Sequence, residues 1–327
     1  MRVVFMGTPQ FAVPALTALI EAGHEVAAVV TQPDKPKGRG KEVQMSPVKE
    51  KALECNIPVY QPVKARNPEF VEILTSLSPQ VIVVAAFGQI LPRSILDIPP
   101  FGCVNIHASL LPKYHGASPI QYAVINGDKE SGITTMMMAE GIDTGDMLDQ
   151  EAILLDEKET GGSLHDKLSA IGGRLILKTL EKLENGTAVR IPQDESKVCY
   201  VGMIKKSMGD IDWSMEAESI ERLIRGLNPW PSAYTVWNGK VLKIWKASVL
   251  EAEEETGKDA ASFASWGEVT EAGNGRLVIK TGKGSLSVEE LQLQGKKRVD
   301  TASFLRGYPI AKGSVLTRLS DSKERSN

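Results

Sequence analysis

Asn105 and His107 stand two residues apart in the run Cys103-Val104-Asn105-Ile106-His107-Ala108-Ser109, where Val104, Ile106 and Ala108 alternate with polar side chains. That is the period of a half-buried strand, so the amide and the imidazole share one face. Further on, Asp143 sits at the centre of Gly141-Ile142-Asp143-Thr144-Gly145-Asp146, a two-glycine loop whose carboxylate can accept a hydrogen bond from a neighbouring strand's histidine. If the three converge, they suit passage of an acyl group to an amine. Asn105 offers NH2 donors and His107 a ring N–H to a developing oxyanion, and Asp143 orients or charges the imidazole. A primary α-amine with a pKa near ~8 is partly neutral at pH 7, so direct attack needs no covalent enzyme intermediate. Hydrolysis with water as nucleophile would use the same trio, and the spacing does not separate the two. Taken singly, Asn105 and His107 also read as a polar strand end, and Asp143 as a turn residue bonded to its own backbone.

The elements that must position these groups alternate along the first half of the chain. A strand at 2–6, a helical pattern at 11–22 and a strand at 26–30 come first, then helices at 47–55 and 68–77 around a short extended piece at 59–60. Residues 81–86, VIVVAA, are continuously apolar, as a central parallel strand must be. Strands at 102–108 and 133–138 flank a short helix at 119–126, and a long amphipathic helix covers 163–184 with His165 in its first turn. The expected fold is therefore α/β, a Rossmann-like, doubly wound, mostly parallel sheet binding its ligand at the strands' carboxyl ends. Gly7 is followed by Thr8-Pro9-Gln10, so the dinucleotide fingerprint is absent and no nicotinamide or flavin is expected.

Two loops leave the expected ligand edge. Phe87-Gly88-Gln89-Ile90-Leu91-Pro92 follows the central strand, with a glycine where a ligand can approach the backbone. Residues 31–44 carry Lys35, Lys37, Arg39 and Lys41 against Asp34 and Glu42, with two prolines and two glycines. A long, mobile, cationic loop is expected there, suited to a phosphate-rich partner.

The irregular, polar stretch 186–209 divides the chain into a catalytic domain at 1–189, a linker at 190–208 and a C-terminal domain at 209–327. Short apolar runs at 233–237, 241–247, 266–270, 277–280 and 286–292, punctuated by glycines, predict a small antiparallel barrel or sandwich, with a five-stranded barrel of the oligonucleotide-binding type as the preferred reading. Lys296, Lys297 and Arg298 supply a basic cluster on it.

With 327 residues, 42% hydrophobic and 24% charged, the chain has the composition of an ordinary globular protein of about two domains. It has no run of about 18 apolar residues and no apolar core of a signal peptide near its start, so a cytoplasmic location is expected. Its net charge of −3 hides a mild excess of base beyond Lys205. Cys55, Cys103 and Cys199 fit neither a disulfide framework nor a metal pair, and His24, His107, His115 and His165 lack zinc spacing. No metal is expected, and a monomer is.

The run Asn105 to Pro112, NIHASLLP, together with Gly141 to Asp146, GIDTGD, resembles the signature of the 10-formyltetrahydrofolate-dependent formyltransferases. FMGTP at 5–9, TQPDKPKGRGK at 31–41, FGQILP at 87–92 and RGLNPWPSA at 225–233 extend the resemblance end to end, to the branch acting on methionyl initiator tRNA. The resemblance implies that Asn105, His107 and Asp143 are catalytic. It implies that Ser109, Leu110, Leu111 and Pro112, with Phe87, Gly88, Gln89, Ile90 and Leu91, hold the folate co-substrate. It further implies that Lys35, Lys37, Arg39, Lys41, Lys296, Lys297 and Arg298 meet the tRNA, Arg39 foremost. One departure is His115, where relatives often carry arginine. The alternatives are a folate-dependent formyltransferase or hydrolase with a small substrate, and a non-catalytic RNA-binding module. The basic loop and the appended barrel count against the first.

Overall fold

The computed structural model describes residues 1–37, 42–250 and 265–324. They divide into two compact units: Met1–Pro119, Glu130–Leu155 and Ser163–Gly202 form one, and Ile120–Lys129, Asp156–Gly162 and the described residues from Met203 onward form the other.

Strands β1 (Arg2–Gly7), β2 (Glu25–Val30), β5 (Val59–Tyr60), β6 (Val81–Ala85), β7 (Cys103–His107), β9 (Glu130–Met137) and β10 (Met147–Leu154) make one sheet in the order β10-β9-β7-β6-β1-β2-β5. The pairs from β7 to β5 are parallel, and β9 runs antiparallel to both β7 and β10. Every residue of β6 is buried, as its apolar run requires of a strand covered on both faces. Helices α1 (Val13–Glu21), α2 (Pro47–Glu54) and α3 (Pro68–Ser76) carry the parallel crossovers. Ser46 caps α2 by accepting a hydrogen bond from the Lys49 amide, and α2 and α3 each open on a proline. The helix expected over 11–22 begins as a 3-10 turn at Gln10–Ala12. The strand order reverses between β1 and β6, and there the Thr8 hydroxyl donates to the Phe87 carbonyl at 3.2 Å.

Of the basic segment 31–44, expected as a mobile loop, residues 31–37 and 42–44 are described. Strands β3 (Lys35–Lys37) and β4 (Glu42–Gln44) pair antiparallel. Just before β3, Lys49 Nζ donates to Asp34 Oδ2 at 2.5 Å and Gln61 Nε2 to Asp34 Oδ1 at 2.8 Å, and these bonds hold the Asp34 carboxyl below its ordinary pKa. Arg39 and Lys41 lie outside the described residues.

Residues 190–202, read from the sequence as linker, group with the first unit. Two short strands bind them there, β11 (Tyr200–Val201) pairing in parallel with β8 (His115–Gly116), while Ile191 exchanges backbone hydrogen bonds with Met147. Helix α4 (Arg93–Leu96) follows β6, α5 (Pro119–Ile125) follows β8, and α6 (Gly161–Glu184) is the long helix expected.

In the second unit, β12 (Ala233–Trp237), β13 (Lys240–Leu250), β16 (Ser285–Leu293), β15 (Arg276–Lys280) and β14 (Val269–Gly273) form an antiparallel sheet in that order, with β17 (Val299–Asp300) beside β16. Val236 pairs with Thr317 and Glu268 with Val315, so residues 315–317 join the two edges and close the sheet into a small barrel. Its core includes Trp213, Leu242, Ile244, Leu277, Leu286 and Leu291, with Ile220 and Ile224 from α7 (Ala217–Gly226) and Phe304 from α8 (Thr301–Gly307).

Candidate active site

Alternation along β7 works as the sequence implies. Val104 and Ile106 are buried on one side, while Asn105, half-buried, and His107, 6% exposed, share the other. The Asn105 carboxamide makes no hydrogen bond among the described residues. His107 Nε2 lies 2.9 Å from the Tyr114 carbonyl oxygen. A carbonyl only accepts, so Nε2 carries the hydrogen and Nδ1 is turned toward Asp143, whose Oδ1 is 3.6 Å away. Burial lowers the His107 pKa from its ordinary value; the Asp143 charge and the Tyr114 carbonyl oppose the shift, and His115 reinforces it.

Asp143 reaches this position by an indirect path. Because β9 is antiparallel, its end pairs with Val104, well short of His107. The loop that follows must return over the sheet. Its two ends close tightly, since the Met137 amide donates to the Asp146 carbonyl at 2.9 Å and a Cβ on Gly145 would lie 1.7 Å from the Met137 oxygen. Asp143 itself has φ +58, a left-handed conformation that aspartate tolerates better than most residues. Its Oδ2 accepts from the Gly116 amide at 2.8 Å, and its own carbonyl accepts from Gln193 Nε2 at 2.7 Å.

Gly116 has φ +107, and a Cβ there would meet the Val201 carbonyl at 2.4 Å. Gly116→Ala must therefore push β8 from β11 and weaken the amide bond to Asp143. The expected result is a loss of kcat of about 10-fold or more, from misplacement of the carboxylate, with a lowered thermal midpoint. Wild-type rates at the wild-type midpoint would show that this contact is dispensable.

The turn after β7 is tied inward. Ser109 Oγ donates to the Lys113 carbonyl at 2.6 Å, and the Ser109 carbonyl accepts from Thr134 Oγ1 at 2.7 Å. Thr134 Oγ1 in turn accepts from the Leu111 amide at 3.0 Å and from Gln150 Nε2 at 2.8 Å. Gln150 also donates to the Leu111 carbonyl at 2.9 Å. Ser109 and Leu111 are buried, and Leu110 and Pro112 are half-buried.

The loop after β6 is divided in the same way. Phe87 and Leu91 are 2% exposed and belong to the core, and Gln89 spends its carboxamide on the Ala65 amide and the Pro62 carbonyl. What the loop presents outward is the backbone at Ala86 and Gly88, both at positive φ, and the side chain of Ile90, 72% exposed. Ile142, beside Asp143, is a second exposed apolar group at 52%. Apolar contacts beside accessible backbone donors and acceptors are the lining of a small-molecule site. Cys103 takes no part: burial pushes its thiol up to about 12.

Of the basic residues, Lys35 is exposed on β3, and Lys37 lies in the same strand. In the second unit Lys296 and Lys297 are exposed, whereas Arg298 pairs with Glu290 and lies 5.0 Å from the Trp245 ring centroid, which Lys243 approaches to 5.4 Å. Sequence reasoning missed Tyr114, Gly116, Thr134, Gln150 and Gln193. Of these, Thr134 left a signal: with Thr135 it is one of two hydroxyls in the otherwise apolar run ITTMMM, where a buried polar group requires a partner.

The formyl transferase family model matches residues 1–180, and the model of the formyl transferase C-terminal domain matches residues 203–309. The chain is 55% identical to the methionyl-tRNA formyltransferase of Agathobacter rectalis, over 97% of this chain and 100% of that protein. It is 49% identical to that of Clostridioides difficile, over 97% and 100%. Among solved structures it is similar to a sugar 3N-formyl transferase, WlaRD, at TM-score 0.64 and 20% identity, over 91% of this chain and 99% of that one. It is also similar to HypX from Aquifex aeolicus in complex with tetrahydrofolic acid, at TM-score 0.61 and 17% identity, over 97% of this chain and 50% of HypX.

Proposed function

Because the chain belongs to the methionyl-tRNA formyltransferases, a branch of the formyl transferase family, we propose that Asn105, His107 and Asp143 carry its reaction. That reaction moves the formyl group of 10-formyltetrahydrofolate onto the α-amine of methionyl initiator tRNA. The amine nitrogen bonds to the formyl carbon and the bond from that carbon to the folate nitrogen breaks; one proton leaves the amine and one arrives on the folate nitrogen. Between these events the formyl oxygen carries negative charge. The observation that carries the assignment is the Asn105 carboxamide, without a hydrogen-bond partner among the described residues, on the same strand face as His107, which lies 3.6 Å from Asp143. Asn105 donates to the oxyanion. A charged His107 ring is disfavoured by burial at rest, but an arriving anion adds to Asp143 on the other side of that balance and favours it.

Gly88, Ile90 and the turn 109–112 hold the folate, and Phe87, Leu91 and Gln89 support that surface from behind. Lys35, Lys37, Arg39 and Lys41 meet the acceptor end of the tRNA, and Lys296, Lys297 and Arg298 contribute phosphate contacts from the barrel. Residues 1–189 are the catalytic part and 209–327 the tRNA-binding part of a cytoplasmic monomer. No helix among the described residues is long and apolar enough to cross a membrane.

The test is formyl transfer from 10-formyltetrahydrofolate to methionine-charged initiator tRNA, beside glycinamide ribonucleotide and a no-acceptor control. Turnover confined to the charged tRNA, weakening steeply with salt, is expected. Formate release without acceptor, or preference for the small amine, would discard the assignment of the basic residues to tRNA.

A further inference from the structure

Apart from Asp143 and Gly145, residues 139–145 are exposed, so packing does little to fix the position of the Asp143 carboxylate. Hydrogen bonds hold it instead. Gln193 Nε2 donates to the Asp143 carbonyl at 2.7 Å and to the Gly145 carbonyl at 2.8 Å, using both hydrogens of one NH2 group. That fixes the amide's orientation, because its oxygen would face two other oxygens if reversed. Gln193 Oε1 is left to accept from His115 Nε2 at 2.8 Å, so this ring nitrogen carries the hydrogen. His115 is 1% exposed; its ring packs edge-on against Tyr200 at 5.3 Å, and its amide donates to the Cys199 carbonyl at 2.8 Å. The next residue, Gly116, bonds the Asp143 carboxylate directly.

We propose that Gln193 and His115 are positioning residues for the reaction, forming a latch that holds the Asp143 loop against β8. The proposal rests on the reading of Asp143 as a catalytic group. The segment carrying Gln193, read from the sequence as linker, is then part of the catalytic apparatus.

The test uses the full chain and two near-isosteric variants, with Asp143→Asn for reference. Gln193→Glu keeps the side chain's length and its acceptor for His115 but sets a carboxylate oxygen against the Asp143 and Gly145 carbonyls. His115→Phe keeps the ring against Tyr200 and removes the donor. The readouts are kcat and KM for formyl transfer, and hydrogen exchange of the Gly116 amide, which reports the bond to Asp143 whatever its catalytic role. Gln193→Glu is expected to lower kcat by about 10- to 100-fold, the order of loss for a group misplaced by about an ångström. KM for the tRNA should stay within about twofold while exchange at Gly116 accelerates; His115→Phe should change both in the same direction by less. Unchanged exchange at Gly116 in both variants overturns the latch, whatever happens to kcat. Faster exchange with kcat unchanged, when Asp143→Asn also leaves kcat unchanged, upholds the latch and overturns the catalytic reading of Asp143 instead.

Discussion

His107→Ala is expected to lower kcat for formyl transfer by about 10³-fold, the combined order of losing an oxyanion donor and a group able to manage a proton, with tRNA binding nearly unchanged. The ring is 6% exposed, yet its removal should spare the fold, because Asp143 keeps its bonds to Gly116 and Gln193. The hydrogen bond between His107 and the Tyr114 carbonyl is lost, so a small loss of stability accompanies the loss of rate. A second measurement distinguishes a titrating ring from an inert one. Burial lowers the His107 pKa from 6.5 in the folded chain. The unfolded chain therefore binds the proton more readily, and stability declines as pH falls below about 6.5 toward the folded value. Wild type should show this decline in its urea midpoint, and His107→Ala should show less of it. A variant with a wild-type rate would remove His107 from the mechanism. An unaltered acid decline would mean that the ring does not titrate as its burial requires.

How legible the site was depends on how much of it lies within one element. Asn105 and His107 share a strand, and period 2 alone sets them on one face. The all-apolar run that became β6 announces a central strand, and the glycine after it an accessible loop. Asp143 was legible as a loop residue, but its approach to His107 depends on β9 running antiparallel and on the loop folding back, and neither leaves a periodic trace. Strand β10 passed unnoticed because it is an edge strand with only Leu148 buried, so its hydrophobic alternation is faint. Gln150 and Gln193, which secure the turn 109–112 and the Asp143 loop, act through backbone carbonyls, and nothing in their own surroundings in sequence distinguishes them from surface glutamines. Residues 190–202, part of the stretch 190–208 that reads as linker, form a polar and irregular segment. It is held to the first unit by backbone pairing with Met147 and with His115–Gly116, bonds that side-chain composition does not report. The pairing of β3 with β4 is silent in composition for the same reason, since it consists of cross-strand backbone bonds beside the Asp34–Lys49–Gln61 cluster.

Asp143→Asn isolates charge from shape. An asparagine tolerates the φ of +58 at this position and its amide oxygen can still accept from Gly116, so the loop should stay in place. What disappears is the negative charge 3.6 Å from His107 Nδ1, one of the two influences that raise the ring's pKa against burial. The ring's pKa should therefore fall further below its ordinary value. If the charged ring stabilises the oxyanion, the limb of the pH–rate profile on which activity falls as pH rises should move to lower pH. The rate at neutral pH should drop by about 10²- to 10³-fold, the scale of losing an electrostatic stabiliser of the transition state. Because neither the folate surface nor the basic residues are touched, KM for both substrates should change little. A loss of rate with an unmoved pH profile would mean that Asp143 serves by orienting the ring rather than by charging it. A profile displaced to higher pH would reverse the sign of the interaction and rule out a charged His107 as the group that meets the oxyanion.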